Sequence, residues 1–353
     1  MAVSTTAVRA WVVGLGTVGQ WLLRFLHSNA GRLADRHGVA VTVVGVANAR
    51  DGFVYDEEGL DLASVLEPIA NGRSIAEQHA VRHYSSALDG LAGTDADVLV
   101  EVTASPAGDG EPGLSHMREA LGRGIPVVTS NKWPVALHGV ELARLARSRG
   151  AVLRAESTVM SGTPLLGPLV EGLAGTIPIE LRGIVNATAN FILSAMAGGR
   201  SYEEALAEAQ EAGLAERGIE ADVEGYDAQA KVMILAGLLF GRQLRPDQVV
   251  RRGISAIGRA EVDEAVAAGG RIRQVATLRF SEPDGAGEVD ARVEPLALRG
   301  DDPLANVEGT TNAVICRASP VGEITIAGPG AGLELAGQGV LSDLIAVARS
   351  QSR

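Results

Sequence analysis

Residues 11–19 read WVVGLGTVG, and the stretch that follows, QWLLRFLHSNAGRLADRHG, has the apolar spacing of a helix. The apolar run reads as a strand, and Gly14-Leu15-Gly16-Thr17-Val18-Gly19 is the turn between the two. Glycines at those three places let the turn close, let the backbone approach a pyrophosphate and let the helix pack on the strand, while the helix N-terminus faces the phosphates. On its own such a motif is weak and can be a plain structural turn. Here it opens a longer alternation, which favours a dinucleotide loop.

VTVVGVA, ADVLVEVT, GIPVVTS and AVLRAES read as further strands, with helix patterns such as EPGLSHMREALGRG between them. This alternation predicts an α/β fold with a doubly wound, Rossmann-type parallel sheet. From about residue 155 the rhythm changes: ELRGIVNAT, RQVATLRF, EVDARVEPLAL, NAVICRAS and GEITIAG are strand-like and sit among alanine-rich helices. The expected organisation is a dinucleotide-binding domain over 1–150, completed by a C-terminal segment 328–353 that packs back on it. A second, α+β domain over 151–327 is expected to serve substrate binding and dimerisation.

Composition narrows the classes. A chain of 353 residues is long for one core, and 44 glycines are well above the roughly 7% average, so many backbone sites need tight turns or close ligand approach. A net charge of -12 with 3% aromatic residues provides neither a basic footprint for nucleic acid nor a platform for stacked bases. No secretory leader or bilayer-spanning run is legible, so a soluble cytoplasmic protein is expected. The single cysteine, Cys316, excludes an internal disulfide and any cysteine-based metal site.

The second strand ends Val46-Ala47-Asn48-Ala49-Arg50-Asp51, where a Rossmann fold holds the adenine ribose. An acid there binds the 2′-hydroxyl of NAD and an arginine accommodates the 2′-phosphate of NADP, so Asn48 and Arg50 favour NADP, with NAD possible. The alternative is that Arg50 is a loop residue paired with Asp51. Thr103 and Ser105 end another strand, and Lys132 ends a third in VVTSNKWP, all on the side where open α/β sheets bind ligands. In AESTVMSGTP, Ser161 or Thr163 caps a helix, and Glu156 with nearby carbonyls suits a hard cation. In DVEGYDAQAK, 222–231, Asp227 and Lys231 are four apart and share a helix face just before the apolar run VMILAGLLF. Exposed, such a pair contributes only about 0.3–0.5 kcal/mol. Partly buried, the lysine needs its carboxylate neighbours and is a candidate acid/base.

GLAERGIEADVEGYDAQAKVMILA (213–236), GIVNATANFILSAM (183–196), AESTVMSGTP, TSNK and GPGAGLELAGQGVLSDLI (328–345) together resemble the homoserine dehydrogenase family, in its short form without a C-terminal regulatory domain. The resemblance spans essentially the whole chain. It implies NAD(P)-dependent interconversion of L-homoserine and L-aspartate 4-semialdehyde in amino-acid biosynthesis by a homodimer. It also implies Lys231 as general acid/base and Lys132 as a second catalytic lysine near the nicotinamide. Glu216, Asp227 and Thr188 would bind substrate, with Asp222 organising the cluster. Gly330 and Glu334 would meet the cofactor, and Glu156, Val159, Ser161 and Thr163 would hold a monovalent cation such as Na+. The chain departs from the family pattern at Arg217-Gly218-Ile219, Met160-Ser161-Gly162 and Asn186-Ala187-Thr188-Ala189-Asn190. Those departures keep open a dehydrogenase of the same mechanism acting on a related amino acid semialdehyde or ketone, and a nucleotide-binding homologue without catalysis.

Overall fold

The computed structural model describes residues 5–77, 82–214, 219–281 and 287–351. They fall into two compact units, Met1–Thr158 with Leu333–Arg353, and Val159–Gly332. Among the described residues no helix is long and apolar enough to cross a membrane.

The first unit opens with β1 (Thr6–Val13), α1 (Thr17–His37) and β2 (Val39–Asn48), then turns through β3 (Gly52–Tyr55), α2 (Leu62–Ala70) and β4 (Arg82–Tyr84). It continues through α3 (Ala87–Gly93), β5 (Val98–Glu101), α4 (Gly113–Gly122), β6 (Val127–Thr129), α5 (Lys132–Ser148) and β7 (Leu153–Arg154). The strands lie in the order β4-β3-β2-β1-β5-β6-β7. From β2 to β7 the pairing is parallel, as the alternation predicts, whereas β3 and β4 extend one edge antiparallel. Chain order reverses between β1 and β5, so a crevice opens beyond their C-terminal ends. Ala10, Val12, Val46, Val98 and Val100 from the strands and Leu22, Leu23 and Leu26 from α1 form one core. The last helix, α13 (Leu333–Ser350), adds Val340, Leu341, Leu344 and Val347 to it.

The chain passes into the second unit within α6 (Ser157–Met160). There follow α7 (Leu166–Gly172), β8 (Ile177–Ile184), α8 (Ala187–Ala197), α9 (Tyr202–Glu211), α10 (Glu220–Val223), α11 (Tyr226–Phe240) and β9 (Val249–Arg251). Then come α12 (Arg259–Ala267), β10 (Arg271–Phe280), β11 (Val289–Leu298), β12 (Thr311–Ser319) and β13 (Gly322–Pro329). The six strands run β13-β12-β8-β10-β11-β9 and pair antiparallel except β9 with β11. Asp290, Arg279, Glu180, Arg317 and Glu323 lie side by side across five of them, and Glu180 pairs with both arginines.

Arg273 on β10 is fully buried. Its Nη1 donates to Ser194 Oγ at 2.9 Å and its Nη2 to Ala305 O at 3.1 Å, while Nε finds no acceptor among the described residues. Burial pushes its pKa down to about 10, against the nearby Glu308, which raises it; the group stays charged at neutral pH. Because a buried cation is costly without a paired carboxylate, and Arg273 has none among the described residues, Arg273→Met should leave Tm unchanged or raise it by a few degrees. A fall of more than about 5 °C in a thermal melt would mean that the two hydrogen bonds outweigh desolvation.

Candidate active site

The glycine loop sits at the crevice mouth between β1 and β5. Gly14 has φ +108°, and a Cβ there would lie 2.6 Å from Val102 C and Thr103 N. A Cβ on Gly19 would lie 2.0 Å from Gly14 O, so α1 starts against the loop only because this residue has no side chain. Gly16 differs: a Cβ there meets nothing within 4 Å and would stand in the open space of the cleft. Gly16 is also the N-cap of α1, with no side chain bonded to the cap and no acid in the first turn, so amides of that turn are left for a ligand. The cleft measures about 1140 Å³ and is lined by Gly14–Val18, Asn48, Arg50, Ser85, Ser86, Thr103, Glu111, Ser115, His116 and Ser130. Its size and its bare helix N-terminus suit a dinucleotide.

At the same C-terminal end of β5, beside the cleft, lies a cluster that sequence reading missed. Glu101 is completely buried. Its Oε1 accepts from Thr103 N at 3.2 Å and from Thr103 Oγ1, and Asn131 Nδ2 is 3.1 Å from its Oε2. The same Nδ2 is 2.8 Å from Ser105 Oγ, and buried His116 places Nδ1 3.5 Å from Oε1. Thr129 Oγ1 donates to Glu101 O and accepts from Asn131 N. Thr103 and Ser105 are thereby tied to Asn131, the N-cap of α5, whose first residue is Lys132. The clue was a charged residue inside the otherwise apolar run VLVEV, followed in space by the asparagine of SNK.

In the second unit, Gly225 at φ +80° turns the chain from α10 into α11. That corner sets Asp222 and Asp227 around Asn186, whose Nδ2 donates to Asp222 Oδ1 at 2.6 Å and Asp227 Oδ2 at 2.9 Å. Asn186 Oδ1 accepts from Ala189 N and so caps α8. Lys231 Nζ lies 2.8 Å from Asp227 Oδ2 and donates to Val185 O at 2.6 Å. Side-chain exposures of 8% for Lys231 and 10% for Asp227 remove this pair from the weak, solvated class. Thr188 Oγ1 is donated to Leu214 O.

Glu216, with Arg217 and Gly218, lies outside the described residues. Glu156 is buried in the first unit, where its N–H donates to Asp343 Oδ2 at 2.8 Å; Glu334 is in the first turn of α13. Val159, Ser161, Thr163 and Gly330 belong to the second unit. Ser161, at φ 55°, donates to Gly330 O and Thr163 to Pro329 O. Among the described residues no group of three or more His, Cys, Asp or Glu is placed to hold a metal ion.

A nucleotide cleft and a buried lysine among carboxylates are the equipment of a dehydrogenase. The profile of homoserine dehydrogenase matches residues 164–345, and that of the homoserine dehydrogenase NAD binding domain matches 14–156. An NAD(+)-dependent homoserine dehydrogenase of Pseudomonas canavaninivorans is 36% identical over 351 residues, 99% of this chain and 98% of its own. A homoserine dehydrogenase of Methanocaldococcus jannaschii is 33% identical, over 97% of this chain and 99% of its own. A hyperthermophilic archaeal homoserine dehydrogenase mutant solved in complex with NADPH superposes with a TM-score of 0.80 at 30% identity, covering 98% of both chains. The chain belongs to the homoserine dehydrogenase family and is an NAD(P)-dependent oxidoreductase.

Proposed function

We propose that this chain interconverts L-homoserine and L-aspartate 4-semialdehyde, with Lys231 as the general acid/base. The observation that carries the reading is Lys231 Nζ, buried and held between Asp227 Oδ2 and Val185 O. A bound nicotinamide supplies the hydride for reduction and accepts it in oxidation. In reduction Lys231, as an ammonium, gives a proton to the forming alkoxide; in oxidation, as a neutral amine, it takes the hydroxyl proton. Asp222, Asp227 and Glu216 supply negative charge for the substrate's ammonium, with Asn186 fixing the first two. Lys132 serves as the second lysine on the nicotinamide side, at the helix start that Asn131 and Glu101 hold. Gly14–Gly19, Thr103 and Ser105 receive the dinucleotide, with Gly330 and Glu334 as further cofactor contacts.

A monovalent cation at Glu156, Val159, Ser161 and Thr163 belongs to the same proposal. Since the Ser161 and Thr163 hydroxyls are already donated to carbonyls, oxygen lone pairs are what these residues would offer it. Homodimerisation is proposed as well, with the oligomeric state in solution as its check.

The competing substrate, a related amino acid semialdehyde, rests on Arg217-Gly218-Ile219 beside Glu216. Of the other departures, Met160 and Ala189 are fully buried and Ala187 nearly so, which makes them part of the packing, the two alanines on either side of Thr188 and next to Asn186 in the chain. The deciding experiment follows reduction of NAD+ and NADP+ with L-homoserine, with and without Na+ or K+, against homologous amino alcohols. Homoserine should give the highest kcat/KM; a homologue better by about tenfold would reassign the substrate.

A further inference from the structure

Rossmann folds place either an acid or an arginine at the tip of the second strand to read the adenine ribose. This chain has both in succession, Arg50 and Asp51, and the structure divides their work. The Asp51 side chain is turned inward and only 3% exposed. It accepts from Asn48 Nδ2 at 2.8 Å, Ser74 Oγ at 2.7 Å, Ile75 N at 3.3 Å, and from Nε and Nη2 of Arg50 at 3.0 and 3.2 Å. Burial pushes its pKa up, but the bonds from Arg50, Ser74, Asn48 and Ile75 together outweigh that and hold it well below the usual carboxylate range. It is therefore a fixed anion at neutral pH.

Arg50 closes over that anion and also donates to Gly72 O at 3.2 Å and to Arg73 O. Asn48 is committed to the same turn, its Oδ1 accepting from Arg50 N and Asp51 N. Across the cleft, the hydroxyls of Ser85 and Ser86 both point to the Asp89 carboxylate. The ribose end is thus a balanced ion pair with a second acid nearby, which is no receptor for a phosphomonoester of charge about -1.5 to -2.

We propose that Asp51 makes this chain select NAD over NADP by withholding Arg50 from the 2′-phosphate. The inference rests on the cleft being the dinucleotide site, and it reverses the preference expected from Asn48 and Arg50 as residue types. For Arg50 to clamp a 2′-phosphate it would have to leave Asp51 buried without its cation and give up two carbonyl bonds. A 2′-hydroxyl makes no such demand. The discrimination is a cost placed on the wrong ligand rather than a contact made with the right one.

The test is equilibrium binding of NADH and NADPH to the whole protein, read by nucleotide fluorescence. Wild type should bind NADH at least about tenfold tighter than NADPH. Asp51→Asn, which keeps the side-chain shape and removes the charge, should shift the ratio toward NADPH by about tenfold, and adding Arg50→Ala to it should abolish the gain. An unchanged ratio in Asp51→Asn, with both nucleotides still bound, overturns the inference alone. If Asp51→Asn does not fold, Arg50→Ala by itself decides: a ratio within about twofold of wild type supports withholding, and a tenfold loss of NADPH affinity overturns it. Failure of wild type to bind either nucleotide removes the cleft reading and this inference with it.

Discussion

Lys231→Met should lower kcat for homoserine oxidation by about a thousandfold, while NADH affinity stays within about twofold. The lysine sits in the second unit with its Nζ shared between Asp227 and Val185 O, remote from the glycine-loop residues in the sequence. Methionine keeps the unbranched stem and loses the proton carrier. It also removes the ammonium 2.8 Å from the largely buried Asp227 carboxylate, so a loss of roughly 3–5 kcal/mol in stability should accompany the change and must be measured beside the rate. Lys231→Arg separates the two effects. It restores positive charge and should recover much of the stability, yet a guanidinium does not give up its proton and oxidation stays slow. For the same reason wild-type alcohol oxidation should rise with pH between about 6 and 10, because only a neutral amine can take the hydroxyl proton. A Lys231→Met enzyme that kept a tenth of its kcat, or a flat pH profile with chemistry rate-limiting, would remove Lys231 from the mechanism.

Gly19→Ala and Gly16→Ala part company although they add the same methyl group. At Gly19 the methyl would sit 2.0 Å from Gly14 O, so α1 must move off β1; Tm falls by several degrees and nucleotide binding is lost. At Gly16 it meets no protein atom within 4 Å. The fold is untouched, but the methyl stands where a pyrophosphate approaches the backbone, and NADH binds about tenfold or more weakly. Unchanged NADH affinity in a well-folded Gly16→Ala would mean that the ligand passes elsewhere.

The alternation of apolar runs with helix patterns made the parallel part of the first sheet legible, because β1, β2 and β5 are buried on both faces. The edge strands β3 and β4 were not: GFVY and RHY are too short to carry a period, and antiparallel pairing is decided by their neighbours. At the site, Asp227 and Lys231 were legible as a pair since helix geometry fixes their spacing. The apolar run that follows pointed to their partial burial, but not to the partners that hold them, which depend on the corner at Gly225 and on Asn186, some forty positions upstream. Glu101, His116 and Asn131 meet only in the folded sheet. Arg50 was legible as a residue type and its pairing with Asp51 was one of the two readings open, but no residue pattern announces that Asp51 turns inward.

The helix α13 closes the core of the first unit although about 170 residues of the second unit precede it in the chain. At synthesis rates of roughly 5–20 residues per second, the ribosome spends about 10–35 s between the two parts of that core. Through that interval the faces of α1 and β1 that α13 will cover are bare, while the inserted unit, continuous in sequence, can fold as soon as it emerges. The unit encoded in the middle can then be complete before the nucleotide-binding one, which begins first and waits for α13.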